Sequence, residues 1–214
     1  MKLLWYISSL AILASVGVTF AREYSAAQFA RSSDLEMIRT LSETPARLRV
    51  PLSVRAQREV FEACATVQDS LFLGIQSSET REKVTSNCIS LADAALTRSP
   101  TLSAAHAIKA LFATDPHDAT RAVVASWITA PYDAWEARLR ILRGFALRDM
   151  GFEDVTPVIA ADVAFMMQAH AGRAWLAQFY WSDPVIQPAL ISLIETRPGD
   201  EQTAFLSQVR RHAR

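Results

Sequence analysis

From about Leu52 to the C-terminus, apolar residues recur at every third or fourth position, as on one face of an α-helix. No run alternates with the period of two that is typical of a half-buried strand. Proline or glycine interrupts the pattern near Pro100, Pro116, Pro131 and Gly151. Because short connections keep each helix beside its sequence neighbours, we expect antiparallel helical hairpins stacked as a short solenoid or bundle. The predicted fold class is all-α.

The clearest single feature is the apolar N-terminal segment, residues 1–21. Lys2 is its only charge, and 19 uncharged residues separate Lys2 from Arg22. That length approaches the roughly 20 residues that a helix needs to cross a bilayer, which favours a retained signal anchor. A cleaved signal peptide is the alternative, because Thr19-Phe20-Ala21 approximates a small-residue cleavage site; a buried core helix is a third interpretation. Either of the first two would export everything that follows.

The next segment, residues 22–51, differs from the rest of the chain. It is polar and carries Pro45 and Pro51. We expect it to serve partly as a spacer between residues 1–21 and a helical domain over residues 52–214.

Two cysteines lie on predicted helices. Each shares a face with apolar residues at i, i+4, i+7 and i+11: Val60, Cys64, Val67 and Leu71 in one run, and Val84, Cys88, Leu91 and Ala95 in the other. Folding the chain back near Gln76 places both cysteines twelve residues from the turn. In an exported protein, this placement predicts a Cys64–Cys88 disulfide across the first helical hairpin, and a pair of reduced core thiols is the alternative. Two thiolates without further ligands do not complete a tetrahedral metal site, so no metal is expected.

The stretch "TAPYDAWEARLRILRGFAL", residues 129–147, combines aromatic, basic and aliphatic residues. As a structural helix, it would begin near Asp133, which would serve as N-cap or as a first-turn acid, and it would pair Glu136 with Arg140 on its exposed side. We expect the following apolar side chains of this helix and its neighbours to be buried: Trp135, Leu139, Leu142, Phe145, Val163 and Leu176.

The same stretch has a functional interpretation. Arg138, Arg140 and Arg143, with Tyr132 nearby, would present a cationic and aromatic surface to an anionic partner. In "RAWLAQFYW", Tyr180 and Trp181 fall off the apolar face, so one of them is a candidate for stacking on a sugar or anchoring a partner.

A weak internal repeat over residues 81–149 resembles the tetratricopeptide pattern. Pro100 and Pro131 are 31 residues apart, each between the end of one helix and the start of the next. The pattern's Ala-Leu-x-x-x-Pro ending and its small-aromatic opening correspond to these residues: Ala95, Leu96 and Pro100, then Ala134 and Trp135. The resemblance implies a helical scaffold that binds proteins or peptides.

A second resemblance concerns Pro131, Trp135 and Leu139-Arg140. They are similar to a Pro-x-x-x-Trp-x-x-x-Arg element of small, signal-anchored helical proteins from bacterial cell-envelope and polysaccharide-export loci. This resemblance implies a periplasmic protein, either anchored in the inner membrane or secreted.

Composition narrows the function. The 22 basic and 22 acidic residues balance, so a nucleic-acid partner is not expected. No acid, base, nucleophile or metal set stands at a recognisable spacing, and we expect neither an enzyme nor a cofactor. The predicted function is a periplasmic adaptor that binds another envelope protein or peptide, with residues 1–21 in the membrane and a role in polysaccharide assembly or export. The alternative is a periplasmic enzyme or ligand-binding domain acting on cell-wall or exported polysaccharide.

Overall fold

A computed structural model describes residues 2–45 and 48–212, except for the side chains of residues 2–8 and 11. Over these residues all regular structure is helical, as the periodicity predicts: twelve α-helices, with 3-10 structure at Glu153–Val155 and at Pro45. Serine or aspartate accepts a backbone hydrogen bond at several helix starts, and Asp133 does so from Trp135 and Glu136, which confirms it as an N-cap. The all-α fold class is therefore confirmed.

The chain divides into two compact units, at residues 112 and 113. The N-terminal unit contains six helices: α1 (Lys2–Arg31), α2 (Asp34–Glu43), α3 (Val54–Asp69), α4 (Leu71–Gly74), α5 (Ser78–Arg98) and α6 (Ser103–Phe112). In this unit α3 packs mainly against α1 and α6, and α5 packs against α6 and α2.

Residues 22–51 are not a spacer. They include the end of α1, all of α2 and an extended segment over residues 48–50. Met37, Ile38 and Leu41 of α2 are buried, as are Leu48 and Val50 after it. The polar residues that suggest a spacer lie on the outer faces of these elements, while the few apolar ones are spaced to face the core.

Helix α1 has two environments. Near its C-terminus, Ala26 and Phe29 are buried, and this part of the helix contacts α3. Six large apolar side chains nearer the N-terminus are each more than half exposed: Leu10, Ile12, Leu13, Val16, Val18 and Phe20. We call residues 9–20 the exposed apolar segment; the earlier side chains of the expected signal anchor lie outside the described residues.

Among the described residues, no helix has both the length and the apolar character that crossing a membrane requires.

The C-terminal unit contains the other six α-helices: α7 (Pro116–Thr129), α8 (Ala134–Asp149), α9 (Thr156–Gln168), α10 (His170–Ser182), α11 (Gln187–Glu195) and α12 (Gly199–His212). Helix α8 packs against α7 and α9, and α10 packs against α9 and α12. Gly172 allows the turn from α9 into α10, because a Cβ at this position would lie 2.1 Å from the carbonyl oxygen of Met166. The core of this unit therefore forms around α8, α9 and α10.

The buried face of α8 is rotated from the expected one. Leu139 and Phe145 are buried as predicted, and so are Val163 and Leu176 on neighbouring helices. Trp135 and Leu142 are only partly buried, however, so these two predictions are wrong. The residues that take the inner positions include two charged ones: Glu136, Ala137, Arg140, Ile141, Gly144 and Leu147. The prediction assumed that only apolar side chains face inward. It is wrong for α8 because the ion pair between Glu136 and Arg140 occupies part of the buried face.

The two cysteines meet as expected. Cys64 of α3 and Cys88 of α5 are completely buried, their Cα atoms are 6.1 Å apart, and their sulfurs are at disulfide-bonding distance. The geometry is compatible with the 4.4–6.8 Å Cα separation of natural disulfides. The simple two-helix hairpin is corrected, since α4 intervenes and α3 and α5 each pack more extensively against other helices than against each other. The disulfide thus joins two helices that pack only slightly against each other.

Loss of this bridge should destabilise the protein. Closing a loop of about 25 residues contributes up to roughly 3.5 kcal/mol in the chain-entropy model. Urea denaturation with and without reductant should reveal a decrease of that order in the free energy of unfolding. The Cys64→Ala/Cys88→Ala variant is the control and should not respond to reductant. Two free thiols alkylated in unfolded, unreduced protein would contradict the disulfide.

Candidate functional site: an arginine-lined cavity

A cavity of about 540 Å³ lies within the N-terminal unit. Helices α1, α2 and α5 and the extended segment over residues 48–50 contribute its walls. Its floor is apolar and consists of buried side chains: Leu41, Leu48, Val50 and Leu91. The volume lies in the range of small-molecule binding sites.

Three arginines from separate segments line this cavity. Arg22 belongs to α1, Arg49 to the extended segment, and Arg98 to the last turn of α5. None of the lining residues that the structure describes is acidic, and none of these three guanidinium groups forms an ion pair within the described part of the chain. Three arginines therefore line one cavity whose floor is apolar. We call it the arginine cavity.

The hydrogen bonding of these arginines is incomplete. Arg98 Nη1 donates to the carbonyl oxygen of Val50 at 3.3 Å. Arg22 Nε is buried and lacks a hydrogen-bond partner among the described residues. A buried donor without an acceptor typically costs about 1–3 kcal/mol. Arginine presents its donors in a planar fork that suits carboxylate and phosphate oxygens.

Glu23 positions the arginine cavity from outside it. Its carboxylate accepts hydrogen bonds from Leu52 N at 2.7 Å, Ser53 N at 3.0 Å and Ser53 Oγ at 2.6 Å. Because Ser53 is the N-cap of α3, this contact attaches α1 to the start of α3. Burial raises the pKa of Glu23, but the hydrogen bonds from Ser53 and Leu52 lower it by more, so its pKa lies below the ordinary value of 4.5. The carboxylate is therefore charged at neutral pH and holds the 48–53 segment against α1.

A second polar contact closes the other wall. Asn87 Nδ2 donates to the carbonyl oxygen of Leu41 at 2.7 Å, which links α5 to the end of α2. The sequence offers no local signal for this site, because Arg22, Arg49 and Arg98 are spread over 77 residues and belong to no motif. The segment from Arg22 to Pro51, whose sequence suggests a spacer, folds so that Arg22 and Arg49 line the same cavity as Arg98.

The C-terminal unit contains a different charged cluster, and it is internal. Arg140 and Asp162 are completely buried and form a two-point contact, Nε to Oδ2 at 2.7 Å and Nη2 to Oδ1 at 2.8 Å. Arg140 Nη1 also donates to Ser126 Oγ at 3.1 Å and lies 3.5 Å from a Glu136 carboxylate oxygen. Burial raises the pKa of Asp162, and the hydrogen bonds and charge of Arg140 oppose that rise. This cluster joins α7, α8 and α9.

The prediction that Arg140 faces a partner is therefore wrong. Its pairing with Glu136 does occur, but in the interior rather than on the surface. The reason is that Asp162 on α9 and Ser126 on α7 supply the hydrogen bonds that make a buried guanidinium tolerable.

The other predicted binding residues do not form one site. Tyr132 is 79% exposed, with its ring 5.8 Å from that of Phe165. Arg138 lies over the ring of Trp175, with 5.7 Å between its guanidinium carbon and the ring centroid. Arg143 is partly buried: its Nη2 donates to the carbonyl oxygen of Ala113 at 2.8 Å, and burial lowers its pKa. Two of these side chains therefore have internal contacts that the sequence does not reveal.

Tyr180 and Trp181 lie near the end of α10. Tyr180 is partly buried, with its ring 6.4 Å from that of Phe205. Trp181 is about half exposed and donates from Nε1 to the carbonyl oxygen of Val209 at 3.1 Å. This hydrogen bond connects α10 to α12. The exposed part of the Trp181 ring remains a candidate for contact with a partner. Among the described residues, no three histidine, cysteine or acidic side chains are grouped as a metal site would require.

Disruption of the buried ion pair should strongly destabilise the protein. Asp162→Asn removes the carboxylate that makes the two-point contact with Arg140 and leaves only the longer contact with Glu136, so the expected loss is about 3–5 kcal/mol. In urea denaturation, the double variant Arg140→Met/Asp162→Leu should lose less free energy of unfolding than the single variants Arg140→Met and Asp162→Leu lose together. Arg39→Gln is the control: it removes an exposed ion pair with Glu43 and should cost under about 1 kcal/mol. Equal losses for the buried and exposed pairs would contradict this assignment.

Comparisons with known proteins do not identify relatives: no family model, curated protein or solved structure matches this chain. The tetratricopeptide-like and envelope-protein resemblances therefore have no support from relatives.

Proposed function

We propose that this chain is an exported helical binding protein, and that its N-terminal unit binds a ligand with an anionic group and an apolar portion. The observation that carries the proposal is the arginine cavity, whose lining combines an apolar floor with three arginines that form no ion pair among the described residues. The anionic group contacts Arg22, Arg49 and Arg98, and the apolar portion covers the floor. This function corresponds to a ligand-binding domain rather than to an enzyme.

The exposed apolar segment supports export and a membrane location. Its aliphatic side chains point to every side of α1, so packing against one neighbouring helix would cover only some of them. Each Å² of apolar surface left in water forgoes about 25 cal/mol of stabilisation. We propose that residues 1–21 direct the chain out of the cytoplasm and hold it on the periplasmic side of the inner membrane, or are removed after export.

The ligand chemistry follows from the lining of the arginine cavity. Neutral sugars would leave three cationic groups without counterions, whereas a phosphate or carboxylate accepts charge-assisted hydrogen bonds from all of them. A wholly polar anion would leave the floor formed by Leu41, Leu48, Val50 and Leu91 uncovered. An amphiphile satisfies both halves of the cavity.

Octyl phosphate is a suitable probe for this proposal. Calorimetry on the full-length protein in non-ionic detergent should detect saturable binding of octyl phosphate and none of octyl glucoside, which has the same chain without the charge. Arg49→Gln/Arg98→Gln should weaken binding at least about tenfold, since each charge-assisted hydrogen bond contributes roughly 1.5–3 kcal/mol. Arg39→Gln removes an arginine of α2 outside the cavity and should bind normally. Equal binding of the two amphiphiles would overturn the proposal.

A specific surface favours adaptor activity as a second candidate function. Leu71 and Ile75 are 88% and 79% exposed at the two ends of α4, and Phe72 between them is about half exposed. These three residues, the α4 surface, would suit an apolar patch of another envelope protein or peptide. A role in polysaccharide assembly or export would follow from the identity of that partner.

Photo-crosslinking tests the adaptor function. A photoreactive residue at Ile75 should give a discrete crosslinked product in cells, because a docked partner would cover this position. The same residue at Ile128, an exposed position in the C-terminal unit, is the control and should not give that product. Phe72→Ser should abolish the product without changing the circular dichroism spectrum. Products that are identical at both positions would rule out a docking role for α4.

A further inference from the structure

We infer that the arginine cavity binds the headgroup of an acidic phospholipid whose acyl chains lie along the exposed apolar segment of α1. This inference rests on the proposed function, because it names the anionic amphiphile that the cavity accepts. The structural basis is the juxtaposition, on one helix, of an apolar stretch without packing partners and an arginine that lines the cavity.

Distance along α1 places the two features together. Phe20, the last side chain of the exposed apolar segment, precedes Arg22 by two residues, which corresponds to about 3 Å along the helix axis. A phosphate held by Arg22 would therefore lie at the level where the apolar surface ends. In a phospholipid the phosphate likewise lies directly above the hydrocarbon chains, so both parts of one molecule match adjacent parts of α1.

The residues around this boundary have the character of a membrane interface. Tyr24 is exposed one turn after Phe20 and its ring stacks on the Phe20 ring at 6.0 Å. Tyrosine is enriched at the headgroup level of membranes, where its ring is partly apolar and its hydroxyl is hydrated. Leu52 and Val54 are exposed on the segment that Glu23 attaches to α1. Apolar side chains at this level would contact the upper part of the acyl chains.

Charge selects an acidic lipid over a zwitterionic one. Arg22, Arg49 and Arg98 form no ion pair within the described residues, so together they carry three positive charges toward the bound group. Phosphatidylcholine would bring its own trimethylammonium group into this cationic cavity, and that group would be repelled. Phosphatidylglycerol has a phosphate and an uncharged glycerol, which the cavity accepts without repulsion.

Lipid retention by the full-length protein tests the inference. The protein is extracted from nanodiscs that contain equal amounts of phosphatidylglycerol and phosphatidylcholine, and native mass spectrometry identifies the retained lipid. Wild type should retain one phosphatidylglycerol, at least tenfold in preference to phosphatidylcholine. Arg49→Gln should lose most of this preference, and Arg49→Lys should restore part of it because the charge is kept.

The controls separate a specific site from general attraction to an anionic surface. Arg55 is exposed on the first turn of α3, beside Leu52 and Val54, but does not line the cavity. Arg55→Gln therefore removes the same charge near the same surface and should retain phosphatidylglycerol as wild type does. An equal loss in Arg55→Gln and Arg49→Gln would overturn the inference. Arg49 is exposed, and its side chain makes no hydrogen bond to the other described residues, so Arg49→Gln should fold; circular dichroism verifies this.

Two further outcomes distinguish this inference from the proposed function. If octyl phosphate binds the cavity but wild type retains neither phospholipid, the ligand is another amphiphile, and only the lipid inference fails. If neither probe binds, both fail. Millimolar inorganic phosphate should not displace phosphatidylglycerol; displacement would identify a site for a soluble anion and overturn the lipid assignment.

Discussion

The contact between Glu23 and the start of α3 is the interaction on which the N-terminal unit depends. One carboxylate accepts three hydrogen bonds from Leu52 and Ser53, at the N-terminal end of α3, where the helix dipole favours negative charge. These bonds connect the only helix with an extended exposed apolar stretch, among those described, to the folded core. They also hold the extended segment that carries Arg49 beside Arg22. Without this contact, the segment that carries Arg49 would lose the hydrogen bonds that attach it to α1 beside Arg22.

The two units use charge in opposite ways. In the C-terminal unit, Arg140 is enclosed and its donors are directed at Asp162 and Ser126, so its charge contributes to packing. In the N-terminal unit, the cavity arginines are within reach of solvent and have no acidic partner among the described residues. Desolvation explains this difference. A buried guanidinium is tolerated only with internal acceptors, whereas one at a cavity can remain hydrated until a ligand supplies them.

This arrangement leads to a coherent interpretation of the N-terminal unit. The exposed apolar segment needs an apolar environment, the arginine cavity needs an anion, and the two are adjacent along α1. An acidic phospholipid provides both in one molecule. The Cys64–Cys88 pair lies on α3 and α5, and these helices carry the Glu23 contact and Arg98 respectively. A covalent link between them would hold the helix that carries Arg98 to the helix whose start Glu23 contacts.

Local sequence pattern is sufficient to predict the helical class, the N-cap at Asp133 and the meeting of Cys64 with Cys88, because these depend on periodicity and hydrogen bonding within a few residues or on matched apolar faces. It is not sufficient for residues with long-range partners. Nothing near Arg140 indicates that Asp162, 22 residues away, would make its burial tolerable. The arginine cavity is the stronger example, since its cationic residues come from distant parts of the chain. Only the tertiary structure, by packing α1, α2 and α5 together, decides that they face the same space.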